Sequence, residues 1–233
     1  MGRESTAAVI VAAGKGRRMN SEVPKQYLLL GGVPVLALSC LAFQNYGVSR
    51  LVVVCPPGDE EYVREQILLP YGVKDPIVVP GGKERHDSVY QGLLAAGDCD
   101  LVMIHDGARP LVDADTIRRA EDAAREMEAA VAAVPVKDTI KMADSNGNVA
   151  ATLDRSLLWA VQTPQTFRYP LILEAHEKWR RGEAPEGLSI TDDAMMVEQL
   201  LQHPVRLTMG SYRNQKITTP EDLAVMEMWM KQR

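Results

Sequence analysis

The chain has 233 residues, of which 46% are hydrophobic and 24% are charged, and its formal net charge is −5. It has enough apolar residues for the core of one large α/β domain, and its acidic balance excludes a general nucleic-acid surface. No apolar run reaches the length of a membrane span. The three cysteines are far apart, without a Cys-x-x-Cys spacing, which indicates reduced thiols. We therefore expect a cytoplasmic protein with no membrane or nucleic-acid partner.

Apolar runs alternate with amphipathic segments along most of the chain. Predicted strands cover residues 7–13, 50–54, 77–79, 101–104, 130–134, 159–162 and 205–209. Predicted helices cover 34–43, 59–68, 85–96 and 115–127, followed by a helix opened by Pro170, one capped by Thr191 and a last one led by Thr219-Pro220. This alternation predicts a doubly wound, mostly parallel sheet in a single domain, 1–233.

The alternation is interrupted after residue 135. Two extended runs, 138–142 and 149–153, flank Asp144-Ser145-Asn146-Gly147-Asn148. Asn-Gly between extended runs is a strong hairpin signal. We expect residues 136–158 to project from the core as a β-hairpin arm that forms a homodimer. If two chains exchange arms, Arg155 at the foot of the arm reaches the neighbour's site.

Two glycines and several cations follow the first predicted strand. Gly14 and Gly16 bring main-chain N–H groups close to a ligand, and Lys15, Arg17, Arg18 and Lys25 can neutralise a polyphosphate. The dinucleotide fingerprint is excluded because Met19 replaces its third glycine, and the P-loop is excluded because Gly16 follows Lys15. A simple tight turn is the alternative; the density of cations favours a phosphate site.

Three further clusters follow predicted strands, where ligands bind in open α/β sheets. In the first, Gly81 and Gly82 could press main chain against a base, with the Ser88 hydroxyl as a hydrogen-bond partner; a plain turn is equally compatible. In the second, Asp106 is a natural Mg²⁺ ligand, although an N-cap or an ion pair with Arg109 is the simpler interpretation. The third is Lys216, which by itself is best interpreted as a solvated lysine.

Six motifs are spread over residues 7–223: Ala-Ala-Gly-x-Gly-x-Arg-Met, Pro-Lys-Gln, Arg-x-Asp-Ser-Val, His-Asp-x-Ala-Arg-Pro, Thr-Pro-Gln and Thr-Asp-Asp. Together they resemble the nucleotidyltransferases that load a sugar or alditol phosphate onto a nucleotide, and among them the 2-C-methyl-D-erythritol 4-phosphate cytidylyltransferase family. The resemblance implies a nucleotide-diphospho-sugar transferase-like fold, CTP and an alditol phosphate as substrates, Mg²⁺, and a homodimer.

The resemblance also implies roles for individual residues. It implies that the CTP triphosphate is held by Ala12, Ala13, Gly14, Gly16, Arg18 and Lys25, and that cytosine is read by Gly81, Gly82 and Ser88. Asp106 is implied to bind Mg²⁺ and substrate. The alditol phosphate is implied to be held by Arg109, Thr139, Arg155, Thr163, Thr191 and Lys216. The implied catalytic residues are Arg18, Lys25, Arg155 and Lys216.

The implied reaction agrees with the residue types. A phosphate monoester has a second pKa of about 6, so it is already an anionic nucleophile at neutral pH and needs no general base. Positioning and charge neutralisation by cations and Mg²⁺ are then sufficient. Two alternatives remain open: a D-ribitol 5-phosphate cytidylyltransferase, which Ala108 before Arg109 disfavours, and a non-catalytic nucleotide-binding module, which would not need cations for a second phosphate.

Overall fold

A computed structural model describes residues 4–14 and 24–231. Its strands are β1 (Thr6–Val11), β2 (Leu29–Leu30), β3 (Val33–Pro34), β4 (Arg50–Cys55), β5 (Ile77–Pro80), β6 (Leu101–Asp106), β7 (Ala129–Pro135), β8 (Lys141–Ala143), β9 (Val149–Thr152), β10 (Trp159–Arg168) and β11 (Arg206–Met209). Its α-helices are α1 (Val35–Tyr46), α2 (Glu60–Tyr62), α3 (Arg85–Ala96), α4 (Ala114–Met127), α5 (Tyr169–Arg180), α6 (Asp193–Leu201) and α7 (Pro220–Met230). α2 continues as a π-helix, Val63–Leu68.

Seven strands form one sheet in the order β11-β7-β10-β6-β1-β4-β5. β10 runs antiparallel to both of its neighbours, and the other pairs are parallel. The prediction of a doubly wound, mostly parallel sheet is confirmed. The chain winds outward from β1 in both directions, so the carboxyl ends of β1 and β6 form the topological switch point at which such sheets bind ligands.

β1, β4 and β6 are apolar along most of their length because helices cover both faces of the sheet. On one face, Val9 and Ile104 pack in a cluster with residues of α3, α5 and α6. On the other face, Ile10 and Met103 pack with residues of α1 and α4. This two-sided core fixes the strand ends, and with them the loops that follow.

Two local predictions were wrong. The strand expected at 159–162 extends to Arg168, because β10 lies between β6 and β7 and bonds to both despite its polar Gln162, Thr163 and Gln165. Thr191 does not cap α6. Asp192 is the N-cap, since its Oδ1 accepts a hydrogen bond from the main-chain N–H of Met195 at 2.9 Å, the geometry a capping carboxylate requires.

The predicted hairpin is confirmed. β8 and β9 pair antiparallel, apart from the central sheet, and Gly147 takes a positive φ of 82° in the turn. At the root of the hairpin, Arg155 Nη1 donates to the carbonyl of Lys137 at 3.0 Å and so joins the two ends of the arm. Just before the arm, the carbonyl of Pro135 accepts from the Tyr212 hydroxyl at 2.9 Å.

Over residues 4–14 and 24–231, no helix is long and apolar enough to cross a bilayer. Cys40, Cys55 and Cys99 are all free thiols. The cytoplasmic location stays a prediction.

Candidate active site

A cavity of about 920 Å³ opens at the carboxyl ends of β1, β5 and β6. It brings together nine of the residues singled out in the sequence: Ala12, Ala13, Gly14, Lys25, Gly81, Gly82, Ser88, Asp106 and Lys216. The predicted site residues Gly16 and Arg18 lie outside the described residues, so their roles stay predictions.

The loop after β1 is held by the Pro-Lys-Gln segment. The buried Gln26 donates through Nε2 to the carbonyls of Ala12, at 2.8 Å, and Gly14, at 3.3 Å. Its neighbour Lys25 donates through Nζ to the carbonyl of Ile217 at 2.8 Å. Lys25 is thereby fixed between the glycine-rich loop and the segment that carries Lys216.

The turn after β5 requires its glycines. A Cβ added at Gly81 would collide with Ala13, and one added at Gly82 would collide with Asp87. The Ser88 hydroxyl, which is buried, accepts from the N–H of Gly82 at 3.1 Å and donates to the carbonyl of Glu84 at 3.1 Å. The turn is therefore a close-packed wall of the cavity, and Ser88 holds that wall in shape.

Asp106 is surrounded by cations. Its Oδ2 lies 2.8 Å from Lys216 Nζ and 3.6 Å from Arg109 Nε, and its Oδ1 lies 3.7 Å from Arg85 Nε. Burial pushes the pKa of Asp106 upward, but Lys216, Arg85 and Arg109 outweigh it and hold that pKa well below its usual range. The interpretation of Lys216 as a merely solvated lysine was wrong, and the ion pair of Asp106 with Arg109 is only part of a larger cluster.

Thr163 and His105 support Asp106 from behind. The Thr163 hydroxyl accepts from the N–H of Asp106 at 3.1 Å and lies 2.8 Å from His105 Nδ1, while His105 Nε2 lies 3.1 Å from the carbonyl of Arg109. Burial lowers the pKa of His105 to about 4, so the ring is neutral at pH 7. His105 therefore has a structural role behind Asp106.

The sequence analysis missed Asn214. Its side chain is fully buried, and Nδ2 donates to the carbonyl of Thr163 at 2.7 Å and to Gln162 Oε1 at 3.3 Å. The main-chain carbonyl of Asn214 accepts a hydrogen bond from Arg109 Nη1 at 2.8 Å. Asn214 thus fixes the turn two residues before Lys216. Its place two residues before that lysine was the available signal.

Five predicted site residues within the described ranges do not line the cavity: Arg109, Thr139, Arg155, Thr163 and Thr191. Arg109 and Thr163 lie against Asp106. Thr139 and Arg155 belong to the arm and are exposed. Thr191 is exposed just before α6, whose first residue, Asp193, is paired with Arg85 of the cavity wall. Their roles as substrate-binding residues stay predictions.

Carboxylates are few at this site. Across the described ranges, no group of three or more His, Cys, Asp or Glu side chains is placed to hold a metal ion. Asp106 is the buried carboxylate at the end of a strand.

The sheet order, the glycine-rich loop and the cations around Asp106 define a nucleotidyltransferase of the α/β class. Its fold matches 4-diphosphocytidyl-2C-methyl-D-erythritol synthase of Anaerococcus prevotii, with a TM-score of 0.83, 27% identity and coverage of 98% of this chain and 99% of that one. The family model for 2-C-methyl-D-erythritol 4-phosphate cytidylyltransferase matches residues 6–232. The chain belongs to the 2-C-methyl-D-erythritol 4-phosphate cytidylyltransferase family.

Relatives with that name are similar over nearly their whole length. The protein of Pelotomaculum thermopropionicum is 48% identical over 99% of this chain and 96% of its own length. That of Alkaliphilus oremlandii is 46% identical over 98% and 96%. The crystal structure of the enzyme of Thermus thermophilus has a TM-score of 0.79 and 34% identity, and covers 98% of this chain and 100% of its own.

Proposed function

We propose that this chain transfers CMP from CTP to 2-C-methyl-D-erythritol 4-phosphate, releasing pyrophosphate and forming 4-(cytidine 5′-diphospho)-2-C-methyl-D-erythritol. One observation carries the proposal: a single cavity has a glycine-rich nucleotide side and a cation cluster around Asp106 that suits a second phosphate. The substrate names come from the family to which the chain belongs.

CTP occupies the side of the cavity formed by the loops after β1 and β5. The triphosphate lies at Ala12, Ala13 and Gly14 with Lys25, and cytosine lies at the turn of Gly81 and Gly82. The glycines of both loops support this arrangement, since main chain without side chains can approach a flat base or a phosphate oxygen. At Gly81 and Gly82 an added Cβ would also collide with Ala13 and Asp87. Arg18 completes the triphosphate site in the proposal.

The alditol phosphate occupies the side formed by Asp106, Arg109 and Lys216. Asp106 accepts hydrogen bonds from hydroxyl groups of the alditol, and Arg109 and Lys216 face the phosphate of the same substrate. The remaining contacts in the proposal come from Thr139, Arg155, Thr163 and Thr191. The buried position of Asp106 strengthens these charge interactions relative to water.

The chemistry is a direct displacement. A phosphate oxygen of the alditol substrate attacks the α-phosphorus of CTP, a new P–O bond forms, and the bond to the leaving pyrophosphate breaks. The described residues that line the cavity include no histidine or cysteine, and the hydroxyls of Ser88 and Thr218 donate to Glu84 and Asp222. Catalysis therefore rests on positioning and on stabilisation of charge by Lys25 and Lys216.

A magnesium ion fits the residues present. Mg²⁺ is commonly held by one or two carboxylates together with substrate phosphates, and Asp106 offers such a carboxylate beside the nucleotide side of the cavity. When bound, the ion would neutralise charge on the triphosphate. Asp106 is the protein residue that would hold it.

A homodimer completes the site in this proposal. Met142, Val149 and Leu157 are exposed on the arm or at its foot, with 51%, 63% and 77% of their surface accessible, and a partner chain would cover them. The arm then carries Thr139 and Arg155 to the partner's cavity, which explains their distance from their own.

The test is pyrophosphate release with CTP and Mg²⁺, comparing 2-C-methyl-D-erythritol 4-phosphate with D-ribitol 5-phosphate. We expect turnover with the first substrate and at most traces with the second. Preference for ribitol phosphate would transfer the proposal to that substrate. Inactivity with both, while CTP still binds, would favour a nucleotide-binding module.

A further inference from the structure

Arg85 links two walls of the cavity through its guanidinium group. Nη1 and Nη2 bond to the two carboxylate oxygens of Asp193, at 2.9 and 2.7 Å, and Nε faces Asp106 Oδ1 at 3.7 Å. The side chain of Asp193 is only 1% exposed. One arginine thus joins the first residue of α6 to the last residue of β6.

The Asp193 end of this link is rigid. The main-chain N–H groups of Asp193 and Ala194 donate to Gln165 Oε1 at 3.0 and 2.9 Å, and Gln165 Nε2 donates to Asp192 Oδ2 at 2.8 Å. Gln165 belongs to β10, in the centre of the sheet. A bidentate arginine–carboxylate pair adds geometric restraint of its own. Arg85 cannot turn toward a ligand without breaking two charge-assisted hydrogen bonds.

Lys216 is held differently. Its Nζ contacts Asp106 at 2.8 Å, and its side chain is 37% exposed. A lysine ammonium is a compact charge on a flexible stem, so it can move from one anion to another at little cost. Asp106 therefore has two cationic neighbours that are held in place, Arg85 and Arg109, and one that can leave, Lys216.

We propose that Arg85 is a positioning residue, held by Asp193 as a fixed counter-charge to Asp106, so that Lys216 can leave Asp106 for the phosphate of the alditol substrate while the carboxylate keeps its place. The inference rests on the proposed function. It also assigns Asp193 a role: the carboxylate prevents the Arg85 guanidinium from closing onto Asp106 and competing with substrate.

The test is Asp193→Asn, which preserves size and removes the charge. The freed guanidinium is expected to close onto Asp106, so KM for 2-C-methyl-D-erythritol 4-phosphate should rise about tenfold or more, as is typical when a supporting partner is lost. The Kd of CTP, measured by calorimetry, should stay within about twofold, because the walls at Gly81 and Gly82 are untouched. Arg85→Lys, which cannot form the bidentate pair, should show the same selective change.

Glu198→Gln is the matched control. Glu198 is an exposed carboxylate further along α6, away from the Gln165 network that holds Asp193. The KM for 2-C-methyl-D-erythritol 4-phosphate and the Kd of CTP should both stay at the wild-type level. In the double variant Arg85→Lys/Asp193→Asn, the effects should not add, because both changes act on one pair.

Two results would overturn the inference. One is that Asp193→Asn leaves the KM for 2-C-methyl-D-erythritol 4-phosphate and the Kd of CTP unchanged. The other is that it raises these two constants equally and lowers Tm, which would mean a merely structural role. Additive effects in the double variant would also contradict it. Failure of the proposed function is distinguishable, since the wild-type enzyme would then be inactive with the alditol phosphate.

Discussion

The charged side chains of the cavity come from distant parts of the chain and act on one another. Lys25 Nζ donates to the carbonyl of Ile217, and Lys216, one residue earlier, contacts Asp106. Two lysines from opposite ends of the sequence are therefore placed by one short segment. In a partly buried cavity such charges act more strongly than at an open surface.

Lys25→Ala should lower kcat by about a hundredfold, the usual loss when one preorganised charge-stabilising group is removed. The reason is its position beside the glycine-rich loop, where charge develops on the α-phosphate and the leaving pyrophosphate. Steady-state kinetics with both substrates measures the effect, and Lys74→Ala, an exposed lysine remote from the cavity, is the control. A kcat near that of the wild type would remove Lys25 from the mechanism.

Asn214→Ala should lower the free energy of unfolding by about 1–3 kcal/mol, because the buried carbonyl of Thr163 loses its donor. Activity should fall as well, since the same turn carries Lys216 and accepts a hydrogen bond from Arg109. Urea unfolding and kinetics at saturating CTP measure the two effects. Unchanged stability and unchanged kinetics would show that the turn holds its shape without this side chain.

At the scale of single elements, apolar patterning predicted β1, β4, β6 and β7, because strands buried on both faces read as continuous apolar runs. It also predicted β5, an edge strand that is partly exposed. The predicted strand at 159–162 was shorter than β10 because the middle of β10 is polar. Gln162 and Thr163 bond to Asn214 beside the cavity, and Gln165 bonds to the first residue of α6. The pairs Arg85–Asp193 and Lys216–Asp106 join residues more than a hundred positions apart, and no local pattern reveals such contacts.

The arm is the element that the dimer proposal depends on. Replacing Met142 and Val149 together by Asp should convert the dimer to a monomer, because charges would be buried in the proposed interface. Analytical ultracentrifugation measures the result. Met228→Asp changes an equally exposed apolar residue on α7 and should leave the assembly unchanged. A double arm variant that still sediments like the wild-type dimer would contradict this role of the arm.

At the scale of the whole molecule, shared sites predict complementation. Lys25→Ala and Arg155→Ala chains should each be poorly active, but their heterodimer should recover part of the activity. One of its two sites would carry both intact residues, since Arg155 acts across the interface in the proposal. Activity of purified, verified heterodimers is the measurement. No recovery would mean that each chain completes its own site.

Stability of the whole domain should depend on His176. Burial lowers the pKa of His176 to about 4, below the ordinary value of 6.5. Between these values the unfolded chain binds a proton that the folded one does not, so stability should fall as the pH decreases from 6.5 to 4, by about 1.4 kcal/mol per unit of pKa difference. His176→Phe should reduce this dependence in urea unfolding at pH 7 and pH 5, and His105, whose pKa burial also lowers to about 4, should account for the part that remains. An unchanged slope would exclude His176 as its source.

The central claim is that the enzyme joins two bound phosphates directly, without a nucleophile of its own. Exchange of labelled pyrophosphate into CTP tests it, measured with Mg²⁺ in the presence and in the absence of 2-C-methyl-D-erythritol 4-phosphate. A direct displacement predicts exchange only when the alditol phosphate is present. Exchange without the alditol phosphate would reveal a covalent cytidylyl-enzyme intermediate and contradict a direct displacement.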